Sequence, residues 1–593
     1  MKKIISLCLC AVLVFCAASA GLNGRAAPKL KEKRLVFSDD GYSFIILDES
    51  GNETQLQKPA KSAAKAPARR TASAYPSSYS SVALNRLPAV KNQGQTGTCW
   101  AFAAVTALES DAITNGLAQR GTFAFSPSHL TWFTYTLPSL TGDPHYGEGM
   151  TSNSPYMRGG NWVYAASTLM EWSGIANNSD YPFYTYQSSL LGNYPESARY
   201  DTGSGFLIDD AVWFEVDDFE SIKGWITEHG ACTAAIYYDD QYENQSTNSY
   251  YEDLYDSDDP EVGINHNITL VGWDDNYPAS NFTIDPGSDG AWLVQDSWGT
   301  NVHNRGFYWL SYQNAHFEYP VGFSVREKGK YYGNYSYNGA CPQNATGCEG
   351  PFTVANVFTA RGYEKISSVS FFSFDLGDTA VIKVYKNLSS GSNPTSGTLA
   401  CTMNVNLDNA GYYTFDLPSE ISVNPGTKFS VCVTLDNADS DVYFAVETGG
   451  SDTLIYSHNS GESFYYLNNV WTDNDSEGYG NFFIQAFTKC SHNFEQITVA
   501  PTCTEDGSIT DVCTQCGDVY SVNAIPATGH TFGSWSDYTL DGARYVSYRY
   551  CSVCGAEDER HYDRGTNTVT LERLLEIIFE RIFAALGLTF SKL

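Results

Sequence analysis

The stretch Gly97-Thr98-Cys99-Trp100-Ala101-Phe102-Ala103-Ala104 decides how the first half of this chain must be read. A glycine-containing turn hands one cysteine to the first turn of an apolar helix. Alanine and leucine are dense from Trp100 to Ile113, so the helix is apolar nearly all round and is expected to be buried. The first backbone N–H groups of a helix have no intrahelical partner, and its dipole favours negative charge there. Both effects favour a thiolate, the nucleophilic form of cysteine. A buried cysteine on an apolar helix is by default only a small hydrophobe. Reading Cys99 as a nucleophile therefore requires a base and an orienting group elsewhere in the chain.

Two downstream segments supply them, Ile264-Asn265-His266-Asn267 and Leu293-Val294-Gln295-Asp296-Ser297-Trp298-Gly299. Acyl transfer by cysteine needs a thiolate, a base that shuttles the proton, and donors for the tetrahedral oxyanion. His266 lies between Asn265 and the apolar run Ile268–Val271, as a strand-borne residue aimed into a cleft would. Asp296 is placed to accept from the imidazole N–H and fix its tautomer. The side-chain amide of Gln93, with the backbone N–H of Cys99, is a candidate oxyanion hole. His129, His145, His303 and His316 lack a comparable strand context and are set aside. Strands are expected at Cys232–Ile236, Asn267–Trp273, Ala291–Val294 and Phe307–Ser311. A helix-first, strands-later chain predicts an α+β fold with two unlike halves and a cleft between them.

On these residues the chain resembles the papain-like cysteine peptidases. Gln93-Gly94-x-x-Gly97-x-Cys99-Trp100-Ala101-Phe102 resembles the family's active-site segment. Asn265-His266 with Val271-Gly272 resembles its histidine strand, and Asp296-Ser297-Trp298-Gly299-Thr300 its Asn-Ser-Trp-Gly-Thr motif. Gly306-Phe307-Tyr308 resembles the strand that follows, Tyr181-Pro182-Phe183 a recurrent Tyr-Pro-Tyr, and Gly159-Gly160 the paired glycines that let substrate backbone approach. The resemblance covers roughly residues 85–325. It implies a two-lobed domain (a helical lobe plus a β lobe) and peptide-bond hydrolysis through an acyl-enzyme. It also implies no cofactor and no metal at the site. Cys99, His266, Asp296 and Gln93 would be catalytic, and Gly159, Gly160 and Trp298 would lie on the substrate side.

The chain departs from the family in four ways. Thr96 stands where the family has a cysteine, and the usual disulfide partner near Gly159 is also missing. His266 follows Cys99 at a longer interval than the about 130–150 residues usual there, through acidic, Tyr-rich insertions around Ser139–Tyr156 and Tyr237–Asp259. Residues 21–81 are too short and too poor in helix to resemble the long inhibitory prosegment. Asp296 replaces the family asparagine; a carboxylate beside an imidazolium should raise the histidine pKa and alter the pH profile.

The 593 residues are too many for one core and suggest about three or four domains. A surplus of 67 acidic over 35 basic residues, net charge −32, disfavours nucleic acid and anionic membranes as partners. Met1-Lys2-Lys3, the apolar run Ile4–Ala18 and Ala18-Ser19-Ala20 read as a secretory signal over residues 1–20. Residues 21–81 read as a short pro or linker region. It contains a strand-like patch (Arg34–Phe37, Tyr42–Leu47) and a Lys/Ala/Pro/Arg tract from Lys58 to Ser73, with a processing signal or a plain spacer at Arg69-Arg70. The catalytic candidate follows over residues 82–325.

Short strands separated by Gly/Asn/Asp/Ser turns predict an all-β sandwich over 331–488. It resembles the lectin-like domain of secreted bacterial papain-family proteins, although no residue shows sugar binding. Residues 490–562 carry small Cys-rich modules. Here Cys513-x-x-Cys516-Gly517 and Cys551-x-x-Cys554-Gly555, with Cys490, His492, Cys503 and His530, read either as zinc ligands or as disulfides. An amphipathic helix closes the chain over 568–593, with Glu572, Glu576 and Glu580 opposite Leu571, Leu574, Leu575, Ile578, Ile582 and Phe583.

The leading expectation is a secreted cysteine endopeptidase acting on proteins or peptides outside the cell, with C-terminal modules that meet a surface glycan or protein. The alternatives are a cell-wall peptide amidase or acyltransferase, and a surface binding protein with a vestigial protease domain.

Overall fold

The computed structural model describes residues 29–38, 44–53, 74–184, 192–255, 262–329, 331–438, 440–447, 454–542, 544–563 and 570–587. The expected leader and the Lys58–Ser73 tract with Arg69-Arg70 lie outside the described residues. Within them are five α-helices and many strands, an α+β architecture. No described helix is long and apolar enough to cross a membrane. The chain divides into two compact units, one ending at Ser491 and one beginning at His492.

The first unit opens its helical lobe with the Cys99–Thr114 helix, buried from Cys99 to Ala112. That all-round burial is what its apolar faces predicted. Two carboxylates on it are also buried, and each is satisfied. Glu109 takes Lys91 Nζ at 2.6 Å and the Phe125 N–H at 2.6 Å. Asp111 takes His229 Nδ1 and the Val325 N–H, both at 2.7 Å. Leaving either carboxylate unpaired would cost several kcal/mol by order of magnitude, so these contacts tie the helix to the loop before it and to the opposite lobe. The Pro127–Thr134 and Trp162–Met170 helices pack alongside. Their first turns are capped by the Ser126 hydroxyl, which accepts the His129 N–H, and by Asn161, which accepts the N–H groups of Val163 and Tyr164.

The β lobe is an antiparallel sheet. The His266–Asp274 strand pairs with Cys232–Ile236 on one side and Ala291–Gln295 on the other, and Phe307–Ser311 follows. Val, Ile, Leu and Trp side chains fill the core beneath, with Trp273 and Trp292 fully buried. The Ser78–Ser80 strand also pairs with His266–Asp274. This lobe therefore takes in chain from before the expected start at residue 82. A Cβ on Gly272 would lie 2.3 Å from the Tyr79 carbonyl oxygen, so only glycine admits that close strand.

The stretch after residue 331 builds two antiparallel sheets face to face. One runs Thr398–Leu407, Asp378–Lys386, Lys428–Asp436, Phe352–Thr359, Ser463–Leu467, Val470–Asp473. The other contains Glu364–Ser373 between Ala410–Val423 and Ile484–Cys490. Inward residues of both sheets make a continuous apolar core. The sandwich is joined to the two preceding lobes by main chain: Ala410, Gly411 and Tyr412 pair with Trp213, Val212 and Ala211. The strand-like patch in the expected linker forms the hairpin Lys31–Phe37 and Phe44–Leu47, and its first strand pairs with Asn344–Cys348 of the sandwich. Those residues are part of a sheet, not a spacer.

The second unit holds two three-stranded antiparallel sheets, Phe494–Val499/Gly507–Cys513/Val519–Ile525 and Thr539–Asp541/Arg544–Tyr550/Glu557–Asp563. Its helix, Leu571–Ala585, has no buried residue, and its apolar stripe faces solvent.

Candidate active site

Cys99 is the first residue of its helix and is buried at the lobe boundary. His266 is the first residue of its strand, on the facing lobe, and is also buried. The helix start and the strand start thus bring together a thiol and an imidazole far apart in the chain, close enough for Cys99 to act on the His266 charge. The other face of the imidazole is engaged too: His266 Nε2 lies 3.0 Å from Asp296 Oδ1. Asp296 follows the Ala291–Gln295 strand, which pairs directly with the histidine strand, so sheet register sets this contact. Trp298 stacks on the His266 ring with centroids 4.4 Å apart and planes within 17°, shielding the His266–Asp296 bond from water. Of the residues expected on the substrate side, Trp298 is therefore placed as a cover for the imidazole.

Burial of His266 disfavours its charge. The Asp296 carboxylate charge, its hydrogen bond and the contact with Cys99 outweigh that and raise the pKa to about 10. For Asp296, burial pushes upward, but His266 and His303 hold its carboxyl well below the usual carboxylate range.

His303, which lacks a strand context, also reaches Asp296. Its Nε2 lies 3.2 Å from Asp296 Oδ2, and its Nδ1 lies 2.8 Å from Glu243 Oε1. Burial works against its charge, but hydrogen bonds to the two carboxylates raise its pKa to about 9. Signs therefore alternate along the line His266, Asp296, His303, Glu243. His303 sits on a turn with positive φ, between Asp296 and Gly306, so strand context could not reveal it. The usable signal was its position, seven places after Asp296, in a loop that returns to donate the Asp296 N–H to the Gly306 carbonyl.

Gln93 is buried and fixed at three points. Its backbone N–H donates to the Ser297 carbonyl at 2.7 Å, its Oε1 accepts the Ser297 hydroxyl at 2.6 Å, and its amide nitrogen donates to the Thr96 carbonyl at 2.6 Å. These contacts orient the amide nitrogen toward the loop that leads into Cys99, with one of its two N–H bonds committed to Thr96. The Lys91–Glu109 ion pair and a β-bridge between Asn92 and Trp298 hold the same loop.

A Cβ on Gly160 would meet the Trp100 indole at 2.5 Å, so the bare position is where that ring packs. The Gly159 carbonyl accepts the Tyr135 hydroxyl. Asn267 follows His266 on the same strand. Its amide nitrogen lies 3.4 Å from the Gly160 carbonyl oxygen and 3.9 Å from Cys99 Sγ, bridging the glycine pair to the thiol.

A buried thiol, an imidazole beside it and a carboxylate behind the imidazole, set between a helical and a β lobe, define a cysteine peptidase of papain architecture. Comparison with known proteins agrees. Residues 75–131 and 150–321 match the papain family cysteine protease, and residues 334–488 match the lectin like domain. Macrodontain-1 of Ananas macrodontes is 24% identical over 221 residues, 37% of this chain and 80% of that protein. Mouse cathepsin S is 24% identical over 225 residues, 38% of this chain and 55% of that protein. Among solved structures, the cysteine protease and lectin-like domains of Cwp84, a surface layer associated protein of Clostridium difficile, share 26% identity and a TM-score of 0.59, over 70% of this chain and 89% of that one. The clostridial Cwp84 protease after propeptide cleavage gives the same identity and TM-score over 99% of its length. The chain carries a papain-family cysteine peptidase domain followed by a lectin-like domain.

Proposed function

We propose that this protein is an exported cysteine endopeptidase acting on proteins at or near the cell surface, and that Cys99, His266, Asp296 and Gln93 carry the reaction. The observation that carries this reading is the unbroken line from Cys99 through His266 to Asp296, closed over by Trp298. The Cys99 thiolate attacks the scissile carbonyl carbon, forming a C–S bond and moving the carbonyl electron pair onto oxygen. The Cys99 N–H, at a helix start, and the free N–H of the Gln93 amide receive that oxyanion. Collapse breaks the C–N bond as protonated His266 gives its proton to the leaving amine. Water then attacks the thioester, His266 takes its proton, and the C–S bond breaks to release the acid and restore the thiolate.

His303 acts through Asp296 as a positioning residue. Its positive charge offsets the extra negative charge that Asp296 brings in place of the family asparagine, and Glu243 anchors it. Export rests on the basic, apolar and small-residue sequence of the first twenty residues. A surface location draws support from Cwp84, which shares both matched domains and is a surface layer associated protein. The lectin-like sandwich and the C-terminal unit are the parts available for a glycan or protein partner.

The test compares the exported chain with its Cys99→Ala form on casein and on cell-wall cross-bridge peptides. Casein cleavage lost in Cys99→Ala is the expected result. Cleavage of cross-bridge peptides alone would favour an amidase, and turnover of neither would favour a binding protein.

A further inference from the structure

We propose that the second unit binds a zinc ion through Cys503, His530, Cys551 and Cys554, and that this metal cross-link organises the unit. One ligand atom from each residue lies within 4.8 Å of all the others. Cys503 Sγ and Cys551 Sγ are 3.8 Å apart, and Cys554 Sγ is 3.3 Å from His530 Nδ1. Tetrahedral zinc, about 2.3 Å from sulfur and about 2.0–2.1 Å from nitrogen, sets its ligand atoms about 3.5–3.8 Å apart. A disulfide would need sulfurs at about 2.05 Å, and it would leave the imidazole and the third cysteine outside the bond. Soft thiolates with one imidazole are a donor set that suits zinc.

The backbone around the two C-terminal cysteines is shaped as a ligand turn. The N–H groups of Val553 and Cys554 point at the Cys551 sulfur. The Gly555 N–H donates to the Cys551 carbonyl at 3.0 Å, with Gly555 at φ +75°, a conformation that favours glycine. The Cys551 N–H donates to Ala556, and the Ser552 N–H to Thr531 beside His530. N–H groups aimed at a sulfur fix its direction, as the outer contacts of a metal ligand do.

The same turn is built a second time. The N–H groups of Gln515 and Cys516 point at the Cys513 sulfur. The Gly517 N–H donates to the Cys513 carbonyl at 2.9 Å with Gly517 at φ +78°, and the Thr514 N–H donates to Asn493 beside His492. Cys516 Sγ lies 3.4 Å from His492 Nδ1. In both copies a phenylalanine ring, Phe494 or Phe532, lies against the histidine. His492, Cys513 and Cys516 thus repeat three ligands of the first set.

The unit also has a thin apolar core among its described residues. Among the described residues the buried apolar ones are Cys503, Cys513, Val546 and Cys551, so three of these four are cysteines. Every residue of the Phe494–Val499 strand is exposed. An apolar core that thin cannot hold two sheets by burial alone, whereas structural zinc supplies folding free energy directly.

The experiment uses the full chain in a Cys99→Ala background, so that the peptidase site takes no part. It is reduced, supplied with zinc, desalted and analysed for metal per chain. Zinc is expected to co-purify, and Cys551→Ser with Cys554→Ser should remove one equivalent while Cys401→Ser, outside the unit, removes none. Cobalt in place of zinc should give the intense visible bands of a tetrahedral thiolate site. The Cys513→Ser/Cys516→Ser variant should keep the share of those bands that belongs to Cys551 and Cys554, so misfolding of one variant does not decide the matter. No retained metal after reduction and zinc addition, or a peptide map joining Cys551 or Cys554 to another cysteine by a disulfide, would overturn the proposal.

Discussion

Cysteine and histidine meet in two regions of this chain under opposite conditions. At Cys99 a single thiol meets an imidazole from another lobe, the ring bonds a carboxylate on its far side, and Trp298 covers it. In the second unit three thiols and one imidazole crowd within 4.8 Å, with glycine turns and backbone N–H groups aimed at sulfur. The first arrangement suits proton transfer because an imidazole stands between a thiol and an orienting carboxylate. The second has more donors than any proton transfer needs, and they converge on a point. The lesson is that the same two residue types are assigned by what stands behind them.

The comparison breaks most visibly if the regions depend on each other. Cys99→Ala should abolish peptide hydrolysis and leave the metal content untouched. Serine at Cys551 and Cys554 should lower the metal content and leave the Cys99 chemistry of the separate first unit intact. Loss of hydrolysis in both variants, measured side by side, would contradict the division.

A smaller effect sharpens the catalytic half. Asp296 raises the His266 pKa to about 10, so the imidazolium survives far into alkaline pH. In Asp296→Asn that charge is gone while burial still disfavours the cation, and the alkaline limb of kcat/KM should move down by about 1–3 units. An unchanged profile across pH 5–9 would sink the assignment.

The smallest effect concerns His303. Removing its positive charge leaves Asp296 facing His266 alone, so in His303→Ala the alkaline limb should move up, opposite in sign to Asp296→Asn. kcat should fall several-fold with little change in KM. A limb that stays put, or moves down, would reduce His303 to a packing residue.

Much of this was legible in the sequence because the signals were local. A helix apolar on every face had to be buried, and Cys99 had to stand at its start; both follow from residues 97–113. His266 and Asp296 were readable because each flanks a strand. His303 was not, since its role depends on a loop returning upon itself through left-handed turns. The hairpin at 31–47 was seen as strand-like, but its partner, Asn344–Cys348, lies some three hundred positions on, and pairing at that range leaves no local mark. Gly160 was read as room for substrate, although its bare Cα also seats Trp100. The sulfur clusters were visible as spacing, which by itself leaves metal and disulfide both open.

The central claim is that Cys99 is a nucleophile activated by His266 in a peptide-shaped cleft. Its most direct test is labelling of the exported chain with an epoxysuccinyl thiol-protease inhibitor, read by intact mass and peptide mapping. One adduct on Cys99 is predicted, absent in Cys99→Ala and slowed by about 10²–10⁴ in His266→Ala. No adduct on Cys99, or equal labelling with and without His266, would contradict it.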